Sequence, residues 1–182
     1  MSEYNKEELY NLIKTSPQKF NEWKKSQEKE TQKEVDLSEI DFSYTTLNDV
    51  DFSGIDLSSS SFADSHLTSV NFSNTDLTAV EFTRATVLES DFTDAVLNGS
   101  DYSYATLHYC NFTDADMAGC VFQESDLTNS DLSGTFNLST CRFDEETIWP
   151  EPEMLPEDFD STYRDDLSSL KDADEEGSQS EY

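Results

Sequence analysis

The chain has 182 residues, enough for one domain, and carries a formal net charge of −29 with a pI near 4.1. This charge excludes direct binding to DNA or RNA, because phosphates would be repelled and no basic patch is present. No segment has the apolar core of a signal peptide or the length of a membrane span, so the sequence predicts a cytoplasmic protein with reduced cysteines.

The acidic residues are concentrated in the middle and at the end of the chain. Residues 1–34 carry seven acids and seven lysines, whereas residues 35–149 carry 21 acids against two arginines, a net charge of −19. Residues 150–182 carry 12 acids against one arginine and one lysine, a net charge of −10. Any function that depends on charge is therefore expected beyond residue 34.

Residues 1–34 are predicted to form a helical cap at the N-terminus. Asn5 can cap a first helix, and Ser16 followed by Pro17 is typical of the start of a second one. A stacked repeat leaves apolar surface open at its ends, so a cap would cover the first repeat. The alternative is a separate binding helix.

Every fifth residue from Leu37 to Leu132 is bulky and apolar, without a slip of the frame. A period of five fits neither a helix face nor a strand. It indicates a chain that turns a corner every five residues and sends one large side chain inward from each side. Leu and Phe alternate at these central positions, so a coil with an even number of sides would stack like residues on like.

The repeating unit, loosely A(D/N)Lxx, resembles that of the pentapeptide-repeat proteins, and the segments VDFSGIDLSS, NFSNTDLTAV and NFTDADMAGC match it closely. The resemblance covers residues 35–149. It implies an all-β fold, a right-handed quadrilateral β-helix (a pentapeptide-repeat solenoid) with four sides and twenty residues per coil. The last central positions are Leu138, Phe143 and Ile148, so one residue is inserted near Thr135.

Residues 150–170 are predicted to cap the C-terminal end, with Met154, Leu155 and Phe159 folded over the last coil. Residues 171–182 are predicted to be a disordered acidic tail. DNA-mimicking members of the family that this chain resembles are dimers joined at their C-termini. The resemblance therefore implies a homodimer contact formed by Trp149, Phe159, Tyr163, Leu167 and Leu170.

No catalytic, cofactor-binding or metal-binding site is predicted. His66 and His108 fall on one side of a four-sided coil but about 10 Å apart at ~4.8 Å per coil, too far to share a ligand. Calcium is a weak alternative, because the carboxylates radiate from different sides instead of converging. The cysteines all occupy a small inward position and are interpreted as core: Cys110, Cys120 and Cys141. The sequence thus predicts a non-enzymatic protein without a cofactor.

The linear charge density is the strongest indication of function. Nearly six coils would form a rod of about 28 Å, so a net charge of −19 gives one charge per ~1.5 Å, close to one per ~1.7 Å in duplex DNA. Acids are expected on all four sides, and one side collects Asp51, Asp91, Asp94, Asp114 and Asp131.

Some members of the resembled family mimic DNA and bind DNA gyrase or topoisomerase IV. The resemblance therefore implies a DNA mimic that binds the DNA groove of a DNA-processing enzyme and modulates or inhibits it. A type II topoisomerase such as DNA gyrase is the first choice of partner, and a restriction, defence or chromatin protein is the next.

Two other interpretations stay open. Asp and Asn suit turn positions and acids keep a β-rod soluble, in which case the charge belongs to a general acidic scaffold. Departures from the polar pattern also define an alternative patch at which one regulatory partner would dock, since exposed aromatic residues and Arg are typical interface anchors. This patch consists of Arg84, Leu88, Tyr104, His108 and Tyr109.

Overall fold

The computed structural model describes residues 4–30 and 35–160. Two helices are followed by four short strands and two 3₁₀ helices. The helices are α1 (Lys6–Thr15) and α2 (Pro17–Glu30), the strands are β1 (Thr46–Asn48), β2 (His66–Thr68), β3 (Thr86–Leu88) and β4 (Thr106–His108), and the 3₁₀ helices span Leu138–Thr140 and Pro152–Met154. No helix in the described ranges is long and apolar enough to cross a membrane.

The chain winds into a stack of parallel coils with a repeat of twenty residues. Strands β1–β4 form one parallel sheet in that order, in which Leu47 lies beside Leu67 and Leu67 beside Val87. The other sides of the coil show the same offset, as in the bridge between Asp36 and Asp56. Each coil therefore holds four five-residue units, which confirms the predicted β-helix. The right-handed sense of its winding stays a prediction.

We number the four sides by their order in the first coil, where the central residues are Leu37, Phe42, Leu47 and Phe52. Central residues up to Leu132 are at most 1% exposed and fill the interior. The residue before each central one pairs with the neighbouring coils and is called the bridge residue. The second residue after each central one turns the chain and is called the corner residue.

Phenylalanine fills the second and fourth sides and stacks from coil to coil. The ring centroids of Phe72, Phe92 and Phe112 lie 4.8 and 4.6 Å apart in turn, with nearly parallel planes. Rings of the second side meet this column edge-on, as Phe82 does at 6.0 Å from Phe72 and 6.1 Å from Phe92. The alternation of Leu and Phe thus produces the like-on-like columns that the sequence predicts.

Tyr102 interrupts the column on the second side and stacks between Phe82 and Phe122 at 5.0 and 5.1 Å. It is fully buried, and its hydroxyl has no hydrogen-bond partner among the described residues. Because an unpaired buried hydroxyl costs about 1–3 kcal/mol, Tyr102→Phe is expected to raise the free energy of unfolding by about 1 kcal/mol or more, measured by urea denaturation. The reverse change in the same column, Phe82→Tyr, is the control and should lower it. A loss of stability in Tyr102→Phe would mean that the hydroxyl is satisfied.

All corner residues from Glu39 to Gly134 have a positive φ, between 52° and 71°. A residue with a Cβ is strained in this left-handed region by about 1–2 kcal/mol, whereas glycine is not. Sixteen of these corners nevertheless carry a side chain, and only four are glycine. The coil therefore turns at an energetic cost that its core and hydrogen bonds offset.

Ala79 and Gly99 occupy the same corner in successive coils, with φ of 56° and 71°. A Cβ added at Gly99 would meet no atom within 4 Å, so exchanging the two residue types tests the backbone alone. Ala79→Gly is expected to raise the free energy of unfolding by about 1 kcal/mol, and Gly99→Ala to lower it by about as much. Thermal denaturation of the two variants checks this, and shifts in the same direction would contradict it.

Helices α1 and α2 close the N-terminal end of the stack. Asn5 accepts a hydrogen bond of 2.9 Å from the backbone N–H of the third helical residue, which confirms its predicted role as a cap. Tyr10 of α1 packs on Phe42 with ring centroids 5.3 Å apart, and Phe20 of α2 packs on Phe52 at 5.9 Å. The predicted N-terminal helices therefore cover the open end of the core.

The five-residue frame breaks twice near the C-terminus, so the prediction of a single break is wrong. The bridge offset is 20 residues at Asp116–Phe136, 21 at Val121–Arg142 and 22 at Asp126–Ile148. The first extra residue is Asn137, which has a φ of 61° and precedes a 3₁₀ helix. The second lies in a wider turn in which the Thr147 N–H donates to the Asp144 carbonyl at 3.3 Å.

Because of the second insertion, Ile148 is not a central residue as predicted. It is a bridge residue with 51% of its surface exposed, and Trp149 takes the inward position instead. Both residues are large and apolar, so the sequence pattern does not tell them apart.

Trp149 and Phe159 close the last coil. The Trp149 ring lies 5.7 Å from Phe122, 5.2 Å from Phe143 and 4.9 Å from Phe159. The Met154 carbonyl accepts a hydrogen bond of 2.8 Å from the Leu132 N–H, and Leu155 and Phe159 pack on the core, so this segment folds over the coil as predicted, with the Met154 side chain 37% exposed. Since Trp149 and Phe159 pack within their own chain, their part in a homodimer stays a prediction. Three further residues of that predicted contact and the predicted tail lie outside the described residues: Tyr163, Leu167, Leu170 and 171–182.

Candidate protein-binding surface

The bridge residues fix the turns that follow them. In one example, Asp56 Oδ1 accepts hydrogen bonds from the Ser58 N–H at 2.9 Å and from its hydroxyl at 2.7 Å. Asp56 Oδ2 makes no hydrogen bond within the described residues. The bond from the N–H two residues later recurs at other bridge residues, namely Asp36, Asp41, Asp51, Asn71, Asp76, Asp91, Asp101, Asn111, Asp116, Asp126 and Asp131.

At these turns the backbone requires an acceptor oxygen on the bridge residue, but it does not require a negative charge there. Asn71 and Asn111 make the same bond as their aspartate neighbours, at 2.9 and 3.0 Å, and carry no charge. An Asx turn therefore explains Asp or Asn at a bridge position but does not explain why most of them are Asp. The carboxylates are held in place before any partner arrives.

Hydrogen bonds keep some of these carboxylates ionised. The hydroxyl and N–H of Ser38, with Lys6 Nζ at 3.7 Å, hold the pKa of Asp36 below its ordinary value. The Asn137 amide, 2.7 Å from Oδ1, lowers the pKa of Asp116 in the same way. Their negative charge is therefore present at neutral pH and is lost only at a lower pH than for a free carboxyl.

Acidic bridge residues recur on the first, second and fourth sides and occur once, at Asp126, on the third. They are Asp36, Asp56, Asp76 and Asp116 on the first side, Asp41, Glu81 and Asp101 on the second, and Asp51, Asp91 and Asp131 on the fourth. On the third side, strands β1–β4 have Thr or His at the bridge position, and Asp126 follows in the fifth coil. Acids therefore occur on all four sides, as expected, but on the third side they are absent from strands β1–β4, where β-branched Thr suits extended backbone better than a turn former.

The five predicted partner-binding acids lie along one edge of the rod. Asp51, Asp91 and Asp131 are bridge residues of the fourth side, and Asp94 and Asp114 are the corners between the fourth and first sides. The structure therefore brings all five to one edge, which the period of five allowed the sequence to predict.

Asp51 differs from the other four because α2 covers it. Lys24 is only 4% exposed, and its Nζ lies 3.2 Å from Asp51 Oδ1 and 2.7 Å from Ser53 Oγ. Burial alone would raise the pKa of Asp51, but the Ser53 and Lys24 contacts outweigh it and lower the pKa. Asp51 thus holds the cap in place, a role the sequence missed because Lys24 lies outside the repeat.

The alternative patch is also brought together. Leu88 and His108 are register partners in β3 and β4, and Tyr109 is 62% exposed beside His108. Tyr104 is 53% exposed at the corner next along the stack from Arg84. Leu88 and His108 lie on the third side and Arg84, Tyr104 and Tyr109 lie at its corners, all on two adjacent coils.

Two carboxylates hold the basic groups of this patch. Arg84 Nε and Nη2 donate to Asp64 at 2.8 and 2.7 Å, which fixes the guanidinium. His108 Nε2 lies 2.9 Å from Asp126 Oδ2, and the two form an ion pair when the imidazole is protonated. The sequence gives no signal for either pair except the spacing of about one coil.

The cysteines lie in the core, and burial raises the pKa of Cys110 to about 12. Thiols in this state are unreactive. Within residues 4–30 and 35–160, no three His, Cys, Asp or Glu side chains are placed to hold a metal ion together.

The family model for pentapeptide repeats matches residues 36–74, 60–99 and 100–136, with eight copies of the repeat. A pentapeptide repeat protein of the Arabidopsis thaliana thylakoid lumen is 29% identical over 56% of this chain and 63% of its own, less than two thirds of that protein, with a TM-score of 0.40. One from Nostoc PCC 7120 is 21% identical over 70% of this chain and 78% of its own, with a TM-score of 0.45. QnrB1, a plasmid-mediated fluoroquinolone resistance protein, is 20% identical over 60% and 78%, with a TM-score of 0.24. No curated protein matches the chain.

Proposed function

The chain belongs to the pentapeptide-repeat family, and from this premise we propose that it is a non-enzymatic DNA mimic. It occupies the DNA-binding groove of a DNA-processing enzyme and modulates or inhibits that enzyme. A type II topoisomerase such as DNA gyrase is the first target to test, followed by restriction, defence and chromatin proteins.

The density of fixed charge along the rod carries this proposal. Residues 35–136 contain 18 acids and one arginine, a net charge of −17. Lys6 and Lys24 contact Asp36 and Asp51 and reduce this to −15. Over five coils of ~4.8 Å the result is one charge per ~1.6 Å, against ~1.7 Å for a DNA duplex.

The corner residues add charge that the backbone does not require. Glu39, Glu89 and Glu124 have φ of 56°, 52° and 53°, a region that favours Gly, Asn and Asp. A turn preference therefore does not account for glutamate at these three positions. Negative charge at the corners does fit a requirement of an outside partner.

In the proposed complex, carboxylates take the places of phosphates in a basic groove. The Asx turns already hold the bridge carboxylates, so binding orders few side chains and loses little conformational entropy. The long-range field of the rod attracts the groove and accelerates association.

Binding to a purified type II topoisomerase is expected to weaken at least about tenfold between about 0.05 and 0.3 M salt, because screening weakens attraction between charged surfaces. Duplex DNA should compete for the same site. Fluorescence anisotropy of the labelled protein measures both effects. An affinity that barely changes with salt, or a complex that also holds DNA in the groove, would contradict mimicry.

Docking of one regulatory partner at the alternative patch is the second candidate function. One observation favours it: two residues of the third side and three at its corners lie together on adjacent coils, namely Arg84, Leu88, Tyr104, His108 and Tyr109.

A further inference from the structure

The third side of the rod lacks the charge that the other sides carry. The outward residues of β1–β4 include no carboxylate and are Thr46, Asn48, His66, Thr68, Thr86, Leu88, Thr106 and His108. The fifth coil adds Asp126. On a chain with a net charge of −29 this is a local exception, and depletion of charged residues marks the centres of protein interfaces.

Exposed aromatic residues border this side. Tyr44 and Tyr104, 79% and 53% exposed, are corners between the second and third sides, and Tyr109, 62% exposed, is a corner between the third and fourth. Arg84, in the same column as Tyr44 and Tyr104, is held by Asp64. Tyrosine and arginine are frequent anchors of interfaces, and both lie here along the borders of the sheet.

We propose that the third side is a contact between two copies of this chain, packed side by side about a two-fold axis parallel to the rods. Contact through the first, second or fourth side would bring columns of carboxylates from both copies into one interface and remove their water, which is costly. Contact through the third side brings in one bridge carboxylate, Asp126, and the acids at its corners, which are Asp49, Asp64, Glu89 and Glu124. The third side is therefore the side on which two such acidic rods can approach.

The proposed axis also makes the rims complementary. Under this axis, a corner between the second and third sides of one copy faces a corner between the third and fourth sides of the other copy. The two facing corners belong to the same coil in their respective copies. Arg84 of one copy then faces Glu89 of the other, and Tyr104 faces Tyr109. At the remaining levels the pairs are Tyr44 with Asp49, Asp64 with Ser69 and Glu124 with Asn129. In none of these five pairs do two acidic residues face each other.

The dimer is weak, because a side of five coils is only about 24 Å long and falls at the small end of specific interfaces. It does not depend on the proposed function. Pairing through the third side leaves the acidic sides of both copies outward.

Sedimentation equilibrium of the full chain at increasing concentration tests the proposal. The dimer should tighten about tenfold or more from about 0.1 to about 1 M NaCl, as the Debye length falls from about 10 to about 3 Å and repulsion between the copies is screened. Binding to a basic groove changes in the opposite direction with salt, so the two proposals fail separately. A monomer at all concentrations in both salts would overturn the dimer and leave the surface to a different protein.

A matched pair of variants locates the contact. Tyr109→Asp adds a carboxylate to the rim of the third side, and Ala79→Asp adds one at a corner between the first and second sides with nearly the same φ, 57° against 56°. The chain already places Asp at such corners, as at Asp94, so both variants should fold, which circular dichroism checks. Tyr109→Asp should weaken the dimer at least about tenfold and Ala79→Asp less than about twofold. Equal effects, or a dimer insensitive to Tyr109→Asp, would place the contact elsewhere, such as the C-terminal end.

Discussion

A variant in which Asp91, Asp94, Asp114 and Asp131 are replaced by asparagine is expected to lose binding to a type II topoisomerase while it remains folded. If each lost charge weakens binding by about 0.5–1 kcal/mol, the four together cost about 2–4 kcal/mol, or roughly 30- to 1000-fold in affinity. Titration calorimetry at low salt measures this loss, and a urea denaturation curve shows whether the fold is retained.

The fold should survive because asparagine already occupies equivalent positions. Asn71 and Asn111 make the Asx turn of the fourth side, with bonds of 2.9 and 3.0 Å. Asn74 and Asn129 occupy corners with φ of 56° and 61°. Each substitution therefore removes a charge and keeps both the acceptor oxygen and the backbone conformation.

Tyr109→Asn is the matched control, since it removes a large side chain from the third side without changing the charge. Asn129, in the same column of corners, shows that the position accepts asparagine. A DNA mimic should tolerate Tyr109→Asn and lose binding with the four-asparagine variant. The opposite result would support docking at the alternative patch.

The sequence predicts the regular part of the fold because one pattern fixes it. A bulky residue at every fifth position from Leu37 to Leu132 determines which side chains point inward, and all of them are buried. Asn5 likewise predicts the start of the first helix, because helix capping depends only on residues that are close in sequence. Beyond the last regular repeat the pattern no longer shows which side chains point inward. The sequence therefore assigns the inward position to Ile148, whereas Trp149 occupies it.

The candidate surface is less predictable because it depends on contacts between distant parts of the chain. Lys24 reaches Asp51 from a helix that the repeat does not contain. The third side has no acidic bridge residue before Asp126, and its residues Thr46, His66, Thr86 and Thr106 recur every twenty positions, a period that only the coil length makes meaningful. The total charge of −29 does not show that the third side carries fewer acidic residues than the other three sides.

Phe92→Ala is expected to cause the largest loss of stability, about 3–5 kcal/mol in the free energy of unfolding. Phe92 is fully buried, and its ring lies 4.8 Å from Phe72, 4.6 Å from Phe112 and 6.1 Å from Phe82. Truncation leaves a cavity in the middle of the stack, where neither helical cap residues nor Trp149 can move in to fill it. Urea denaturation measures the loss.

Phe92→Leu is the control, because Leu132 occupies the same column in the fifth coil and is fully buried there. It keeps most of the buried volume and should cost less than about 1.5 kcal/mol. In a stack each coil contacts only its neighbours, so the cavity in Phe92→Ala should also broaden the unfolding transition as the two ends of the rod lose their coupling. If Phe92→Ala and Phe92→Leu were equally stable, the aromatic column would not be what holds the coils together. The packing of Phe92 in that column would then no longer explain the fixed spacing of Asp91 and Asp94, the bridge and corner residues on either side of it.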